Sequence, residues 1–569
     1  MAGLNHDPSV ALLEDGVIKF AIESEKVTRH KHETAVVPEA VIRYVLEGAG
    51  AELDDIDVIA TNWDAGPLAN GLYLAQLKAF ASRACLPASW IVTLVSIAGS
   101  HSRSYLRQFL PHVPKVAAIR HHLAHVGSCY TLSPFDEAVA VVFDGSGELE
   151  CTSIYRCAGR KVKKLYSMDL PLDSLGHVYT LCTVHLGYAR LGDEYKVMGL
   201  AAYGEERKEF AEFFAELIAL LPDGRYRIDR RLAGDLANGS FRFPPAALRR
   251  VCQPRRPADE FTQEHKDFAK SLQLRIEAAI LHVLRHAART TGAKKLCLAG
   301  GVALNCVANG RVVEKLDFTD VFIQPAAHDA GTSLGAAAYY SYHVAGGVRP
   351  TPFRSPYLGP AFDTATIRSE LTRCRTPYRE LADPALAGAE QLARGRVLGW
   401  FQGRAEFGPR ALGNRSILAD PRSPAMKERV NQLVKERESY RPFAPALLAE
   451  SMADYFTFIR DSPYMLLAGA VRSDRRADLG AVTHVDGTAR PQSVHSDLNP
   501  RFHDLISNFQ RFTGVPAVLN TSFNVAGEPI VLSPSDALRC FYASGLDALI
   551  LDRFLVEKSP NQEAFADHA

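Results

Sequence analysis

His121 and His125, in the run HHLAH, are four residues apart, so a helix would carry both imidazoles on one face, the spacing a metal site uses. Chance alone gives about 0.6 such pairs for 19 histidines in 569 residues. His282 and His286 are another such pair, mid-helix and without a neighbouring glycine loop or carboxylate in sequence, and they read as a solvated face. The first pair is fed by an apolar strand, Val116 to Ile119, and followed by Asp144 in the turn FDGSGE. On these residues alone a metal site and a structural pair both stay open.

Other segments suit anions. In KKLCLAGGVALNCVANGRV, Gly300 and Gly301 end a strand just before a helix, where backbone N–H groups and the helix dipole can meet a phosphate; a plain packing turn has the same pattern. PAAHDAGTSLGAAA, 325–338, repeats the device and puts Asp329 at a loop-to-helix junction. Between Arg404 and Arg441 there are nine Lys or Arg against five acids. Arg410 and Arg415 lie amid Phe407, Gly408, Pro409, Leu412 and Gly413, which reads as a packed loop more than as a solvated helix face or a nucleic-acid patch. Guanidinium groups on a rigid loop suit bidentate phosphate or carboxylate binding, and Lys435 adds a point charge. VPAVLNTSFNVAGEPIV, 515–531, is an apolar strand ending in Asn520, Thr521, Ser522 and Asn524, where open α/β sheets bind ligands; a polar loop is the alternative.

These groups need a scaffold, and at roughly 150 residues per domain a chain of 569 has room for two to four domains. SVALLEDGVIKFAIESE alternates and breaks at Asp15-Gly16, which predicts a hairpin. Residues 138–165 predict three strands joined by an Asp-Gly-Ser-Gly turn and an Ala-Gly-Arg turn. Two such openings, each followed by a mixed helical region, predict a duplicated α/β unit with a cleft between two lobes. Ala269, Leu272, Ile276, Ala279, Val283 and Ala287 mark one face of a helix over 265–289. GGVRPTPFRSPYLGP, 346–360, reads as a domain linker, beyond which a helix at 385–395 and a strand at 396–401 lead into the basic loop.

Composition narrows the function classes. With 47% hydrophobic and 23% charged residues the chain is an ordinary globular one, and a net charge of +1 supplies no whole-molecule field for nucleic acid or an anionic membrane. Ten scattered cysteines form no CxxC pair, which argues against a structural zinc site or redox dithiol and fits a reducing cytoplasm. The N-terminus has no basic n-region before an apolar core, so no signal peptide is expected. ACLPASWIVTLVSIAG, 84–99, contains Pro87, falls short of the roughly 20 residues that span a bilayer, and reads as a buried helix.

In order along the chain, GLNHD, ESEKVTRHKH, HHLAH, FDGSGE, GDEYKVMGLAAYG, GGVALN, PAAHDAG, EFGPRALGNRSIL, RESYRPFAP, HVDGTARPQSV and LNTSFNVAGEPIV make the sequence resemble the ATP-dependent O-carbamoyltransferases of antibiotic and nodulation-factor tailoring, such as the cephamycin and tobramycin enzymes. The resemblance implies an α/β protein with an actin-like, sugar-kinase-like domain over 1–350 and a carbamoyl-adenylate-forming domain over 351–569. It implies that carbamoyl phosphate and Mg-ATP give carbamoyl-AMP and pyrophosphate in the second domain, and that the adenylate passes internally to the first, where a small-molecule hydroxyl is carbamoylated. Carried over by motif, Arg410, Lys435, Arg441 and Ser522 would hold ATP and carbamoyl phosphate, with Asn520 and Asn524 beside them. Asp144, Gly145, Gly147, Gly300, Gly301 and Asn305 would line the nucleotide in the first domain. His121, His125, Asp144 and Asp329 would bind a divalent metal, iron by resemblance, with manganese or zinc equally compatible with the ligand types. His6 and Lys31 would line the transfer site, with His6 the base for the acceptor hydroxyl and a turn-capping role beside Asp7 its alternative. A homodimer is implied by analogy alone.

Three positions depart from the family pattern: the short start Met1-Ala2-Gly3, Ala526 where a longer polar residue is usual, and His328 before the ligand Asp329, an additional ligand or a bystander. The rival readings are a carbamoyl-type transferase acting on tRNA, opposed by the missing basic face, and a non-catalytic, nucleotide-switched actin-like scaffold, which leaves the cationic loop unexplained. Hydrogenase-maturation carbamoyltransferases carry paired CxxC fingers, absent here. Acceptor-pocket walls are expected from 60–115 and 205–262.

Overall fold

The computed structural model describes residues 7–32, 37–63, 114–148, 150–169, 173–190, 192–234, 236, 241–435, 437–459 and 461–558. The chain divides into two compact units, one of residues 1–24 and 32–353, the other of residues 25–31 and 354–569.

In the first unit the Asp15-Gly16 turn closes an antiparallel hairpin of β1 (Ser9–Glu14) and β2 (Val17–Glu23), with both turn residues at positive φ as a two-residue hairpin loop requires. β3 (Val58–Thr61) and β4 (Lys115–Ala118) pair in parallel. β5 (Glu137–Phe143), β6 (Glu150–Ala158) and β7 (Lys161–Asp169) form the expected antiparallel meander. After a small hairpin of β8 (Ile218–Leu220) and β9 (Tyr226–Ile228), β10 (Lys295–Ala299) and β11 (Asp320–Ile323) extend the meander in parallel, giving the order β11-β10-β5-β6-β7. Each half of this unit thus holds an antiparallel hairpin and a parallel pair, the parts of the expected duplicated α/β unit. Among the described residues the first half keeps them as separate two-stranded sheets.

The predicted helix at 265–289 spans Gln263–Thr291, capped by Thr262 and ended by Gly292 in the left-handed conformation. Its histidine pair is not a solvated face. His282 bonds the Leu221 carbonyl at 2.7 Å, and His286 packs where a Cβ on Gly224 would sit, because the β8–β9 turn lies over this part of the helix. The expected linker is also partly ordered into the first unit. Arg349 donates to the carbonyls of Tyr130, Thr131, Ser133 and Phe135, and Phe353 N–H to that of Leu132.

The second unit is built on an eight-stranded mixed sheet of β12 (Arg379–Glu380), β13 (Leu398–Phe401), β14 (Arg415–Ala419), β15 (Ala444–Leu448), β18 (Gln492–Val494), β19 (Ala517–Ser522), β20 (Ala548–Leu551) and β21 (Phe554–Glu557). β16 (Gly469–Ala470) and β17 (Thr488–Ala489) form a separate pair. The sheet order is β12-β21-β20-β13-β14-β19-β15-β18. Side-chain alternation splits its core in two. Leu398, Trp400, Leu418, Val518 and Ile550 pack under the helices Pro384–Ala393 and Pro500–Thr513, while Phe401, Ile417, Leu519, Leu549 and Leu551 face the other way onto Ile367, Leu538 and Phe541. Burial on both faces explains the apolar runs LGWF and ALIL.

Among the described residues no helix is long and apolar enough to cross a membrane. The 84–99 stretch, and most of the 60–115 region expected to wall the acceptor pocket, lie outside them.

Candidate functional site

β4 runs directly into the helix His121–Val126, which puts His121 and His125 on one buried face. Two close approaches bring Asp144 and Asp329 to them. Gly127 and Gly335 let this helical segment touch the helix Gly331–Tyr339 backbone to backbone, since a Cβ on either would lie 2.1 or 1.9 Å from a carbonyl oxygen of the other segment. Gly300, at φ +94°, abuts Phe143, so the ends of β10 and β5 meet beside Asp144.

The four ligand atoms lie within 4.8 Å of one another. His121 Nε2 is 3.1 Å from Asp144 Oδ2, 3.5 Å from Asp329 Oδ1 and 3.2 Å from His125 Nε2; His125 Nε2 is 3.8 and 3.9 Å from the two carboxylates. Donors held about 2.1 Å from one ion stand about 3.0–3.4 Å apart, so a small inward adjustment completes such a shell. All four side chains are buried. Burial disfavours charge on His121, yet Asp329 and Asp144 hold it well above the ordinary imidazole value; burial and the neighbouring His121 lower His125. Burial opposes charge on Asp144 too, but hydrogen bonds from His121 and His125 keep it well below the usual carboxylate range. Two buried carboxylates facing two imidazoles form a donor set that a divalent metal would fit.

Around these ligands stand residues that the sequence reading passed over. The Asn62 amide is 3.4 Å from His121 Nδ1 and donates to Thr332 Oγ1, and Glu148 accepts the His121 N–H. Their only signal was a polar side chain at a strand end or in a glycine turn. Gly301 N–H points at Asp144 Oδ1 at 3.3 Å, Gly147 N–H bonds Glu150, and the Gly145 carbonyl accepts from Ser174. Asn305 caps the helix Cys306–Lys315 and pairs with Gln273. His328 does not join the ligand cluster; its Nε2 lies 3.9 Å from Asp7 Oδ2. His6 lies outside the described residues.

In the second unit, strand register gathers the basic residues at one sheet end. Ser416 on β14 is level with Ser522 on β19, Ala444 on β15 with Asn520, and Ala446 with Gln492 on β18. Arg410 precedes β14, Arg441 precedes β15 and Arg490 precedes β18, so all three enter from the end where Ser522 and Asn524 leave β19. Arg490 was missed although its segment HVDGTARPQSV stood out. Arg441 is 16% exposed, 3.4 Å from Glu438. Ser522 donates to Asn524 Oδ1, and the Asn524 amide holds the turn through the Val525 and Glu528 carbonyls. Asn520 donates to Gln492 and Ala411, while its Oδ1 is buried with no hydrogen-bond partner among the described residues.

Arg415 does not line this surface. It is fully buried, stacks on Phe401 at 3.6 Å and donates to the carbonyls of Gln402, Gly403 and Asn414, because its side chain points back into the sheet. Lys435 ends the turn Asn431–Lys435, and its side chain is outside the described set. Lys31 is exposed and falls in the 25–31 segment of the second unit.

Residues 2–338 match the family model described as carbamoyltransferase N-terminus, and residues 389–558 the one described as carbamoyltransferase C-terminus. The chain is 39% identical over 559 residues to the nodulation protein NolNO of Sinorhizobium fredii, covering 97% of this chain and 79% of that one. It is 31% identical to the 3'-hydroxymethylcephem-O-carbamoyltransferase of Amycolatopsis lactamdurans over 76% of this chain and 78% of that one. Against the protein of the same name from Streptomyces clavuligerus the identity is 29%, over 94% of each chain.

Proposed function

The chain belongs to the carbamoyltransferase family, and from that premise we propose that it is an O-carbamoyltransferase working in two half-reactions. In the second unit, carbamoyl phosphate, ATP and water give carbamoyl-AMP, phosphate and pyrophosphate. Arg410 and Arg441, with Lys435 and Arg490, hold the phosphates there, and Ser522 and Asn524 supply short hydrogen-bonding groups. Fixed cations on a rigid loop stabilise the charge that develops as pyrophosphate leaves. In the first unit a hydroxyl of a small-molecule acceptor takes the carbamoyl group and AMP departs.

His121, His125, Asp144 and Asp329 would hold a divalent metal, iron, manganese or zinc, and when bound it supplies a Lewis acid for the adenylate. The Gly300-Gly301 turn and the Asp144–Gly147 turn would orient the nucleotide, while His6 would attend the acceptor hydroxyl; Lys31, which belongs to the second unit, is given no part in this step. Relatives named for a cephem hydroxymethyl group and for nodulation support a small-molecule acceptor over tRNA. Carbamoyl-AMP hydrolyses readily, which favours forming and using it in one polypeptide.

The single observation that carries this reading is the pairing, in one chain, of a buried carboxylate-imidazole cluster with a cation-rich sheet end. It is tested by pyrophosphate release from ATP without acceptor, with and without carbamoyl phosphate. Release that requires carbamoyl phosphate supports the adenylating half-reaction; ADP formation indifferent to carbamoyl phosphate fits a kinase or a nucleotide-switched scaffold instead.

A further inference from the structure

Residues 25–31 are remote in sequence from the rest of the second unit, yet they belong to it, and two of their cations, the buried Lys26 and the half-buried Arg29, are directed at the loops that flank its anion site. Lys26 is 2% exposed, and its Nζ donates to the carbonyls of Glu406 at 2.7 Å and Gly408 at 3.0 Å. Arg29 donates to the carbonyls of Ile530 at 2.6 Å and Pro529 at 3.0 Å, with Asp536 at 3.5 Å and Glu528 at 3.8 Å. Arg29 also takes φ +64°, a left-handed backbone that a non-glycine residue keeps only where its surroundings hold it.

Both contacts fall where the site needs rigidity. Glu406, 1% exposed, accepts the N–H groups of Leu412, Asn414 and Arg415 on one carboxylate oxygen, at 2.8, 2.8 and 3.1 Å. The loop carrying Arg410 is therefore fastened at its start by Lys26 and at its end by the Glu406 carboxylate. The turn after Ser522 is held internally by Asn524 and at its far side by Arg29.

We propose that Lys26 and Arg29 are positioning residues for the anion site of the second unit, bracing the Arg410 loop and the 524–530 turn respectively. The inference rests on the adenylating reading of that site. Neither side chain is assigned a contact with substrate; each acts through the backbone it holds. A phosphate-binding guanidinium displaced by about 1 Å loses on the order of a hundredfold in rate, so removing a brace is expected to be visible.

The test uses the full chain as wild type, Lys26→Met, Lys26→Arg and Arg29→Gln, with hydrogen-deuterium exchange and pyrophosphate-release kinetics on each. Lys26→Met is expected to speed exchange across 406–415 and to raise KM for carbamoyl phosphate and ATP, lowering kcat/KM about a hundredfold. Lys26→Arg should restore most of both, and Arg29→Gln should speed exchange across 524–531 with about a tenfold loss. Loss of folded enzyme would lower kcat and leave KM alone, which overturns the positioning role, as does wild-type exchange in both loops. If Lys26→Met does not fold, Arg29→Gln decides by the same two readouts. If wild type releases no carbamoyl-phosphate-dependent pyrophosphate, the adenylating reading fails, while the exchange rates still judge the braces.

Discussion

The two units gather charge in opposite ways. In the first, His121, His125, Asp144 and Asp329 come from three separate segments, the two histidines from one helix, and converge on one buried point as a set of metal-type donors. In the second, Arg410, Arg441 and Arg490 come from three loops at one end of a sheet, on backbone fixed by buried groups such as Glu406 and Arg415. A cation site can be made from side chains alone, because a few oxygens and nitrogens converging on a point define it. An anion the size of a triphosphate spans many ångströms, so its site depends on how rigidly whole loops are held.

That contrast predicts separable losses. The largest is expected from Arg410→Ala, which should cut carbamoyl-phosphate-dependent pyrophosphate release about a thousandfold and leave metal content at the wild-type level; parallel loss of both would erase the separation of the sites. Asp329→Ala should lower metal affinity about a hundredfold, read by metal analysis after dialysis against a graded chelator, with pyrophosphate release within about twofold of wild type. Gly300→Ala places a Cβ 2.1 Å from the Phe143 carbonyl oxygen at φ +94°, and should destabilise the first unit by about 3 kcal/mol in urea unfolding.

The smallest effect concerns Glu150, beside the His121–Val126 helix. Burial raises its carboxyl, but hydrogen bonds from His122 and Lys164 prevail and bring it from 4.5 down to about 2. A depressed carboxylate contributes stability that is present above its unfolded value and lost as pH falls through its folded one. About 2 kcal/mol should therefore disappear between pH 4.5 and about 2. Glu150→Gln should flatten that slope in acid-unfolding curves; an unchanged slope would mean that the charge of Glu150 contributes nothing.

Much of this contrast was legible in the sequence. The hairpins, the 263–291 helix and the spacing of His121 and His125 follow from periodicity and turn residues, and motif order supplied Asp144 and Asp329. Sequence types alone do not distinguish Arg410 from Arg415, since both are arginines among apolar residues and only the direction of the strand sends Arg415 into the core. Arg490 and Asn62 are single polar residues whose roles depend on which strands become neighbours. The braces Lys26 and Arg29 lie some 380 and 500 residues before their partners, |i−j| 380 and 501, a pairing that local pattern does not carry.

The most direct test of the two-site account is pyrophosphate release by full-length His121→Ala/His125→Ala protein, verified metal-free, with ATP and carbamoyl phosphate and no acceptor. The account predicts release at close to the wild-type rate, still dependent on carbamoyl phosphate, with transfer to a hydroxyl acceptor abolished. Loss of pyrophosphate release in that protein, while it remains folded, would contradict it, because the adenylate would then have to be made at the metal centre.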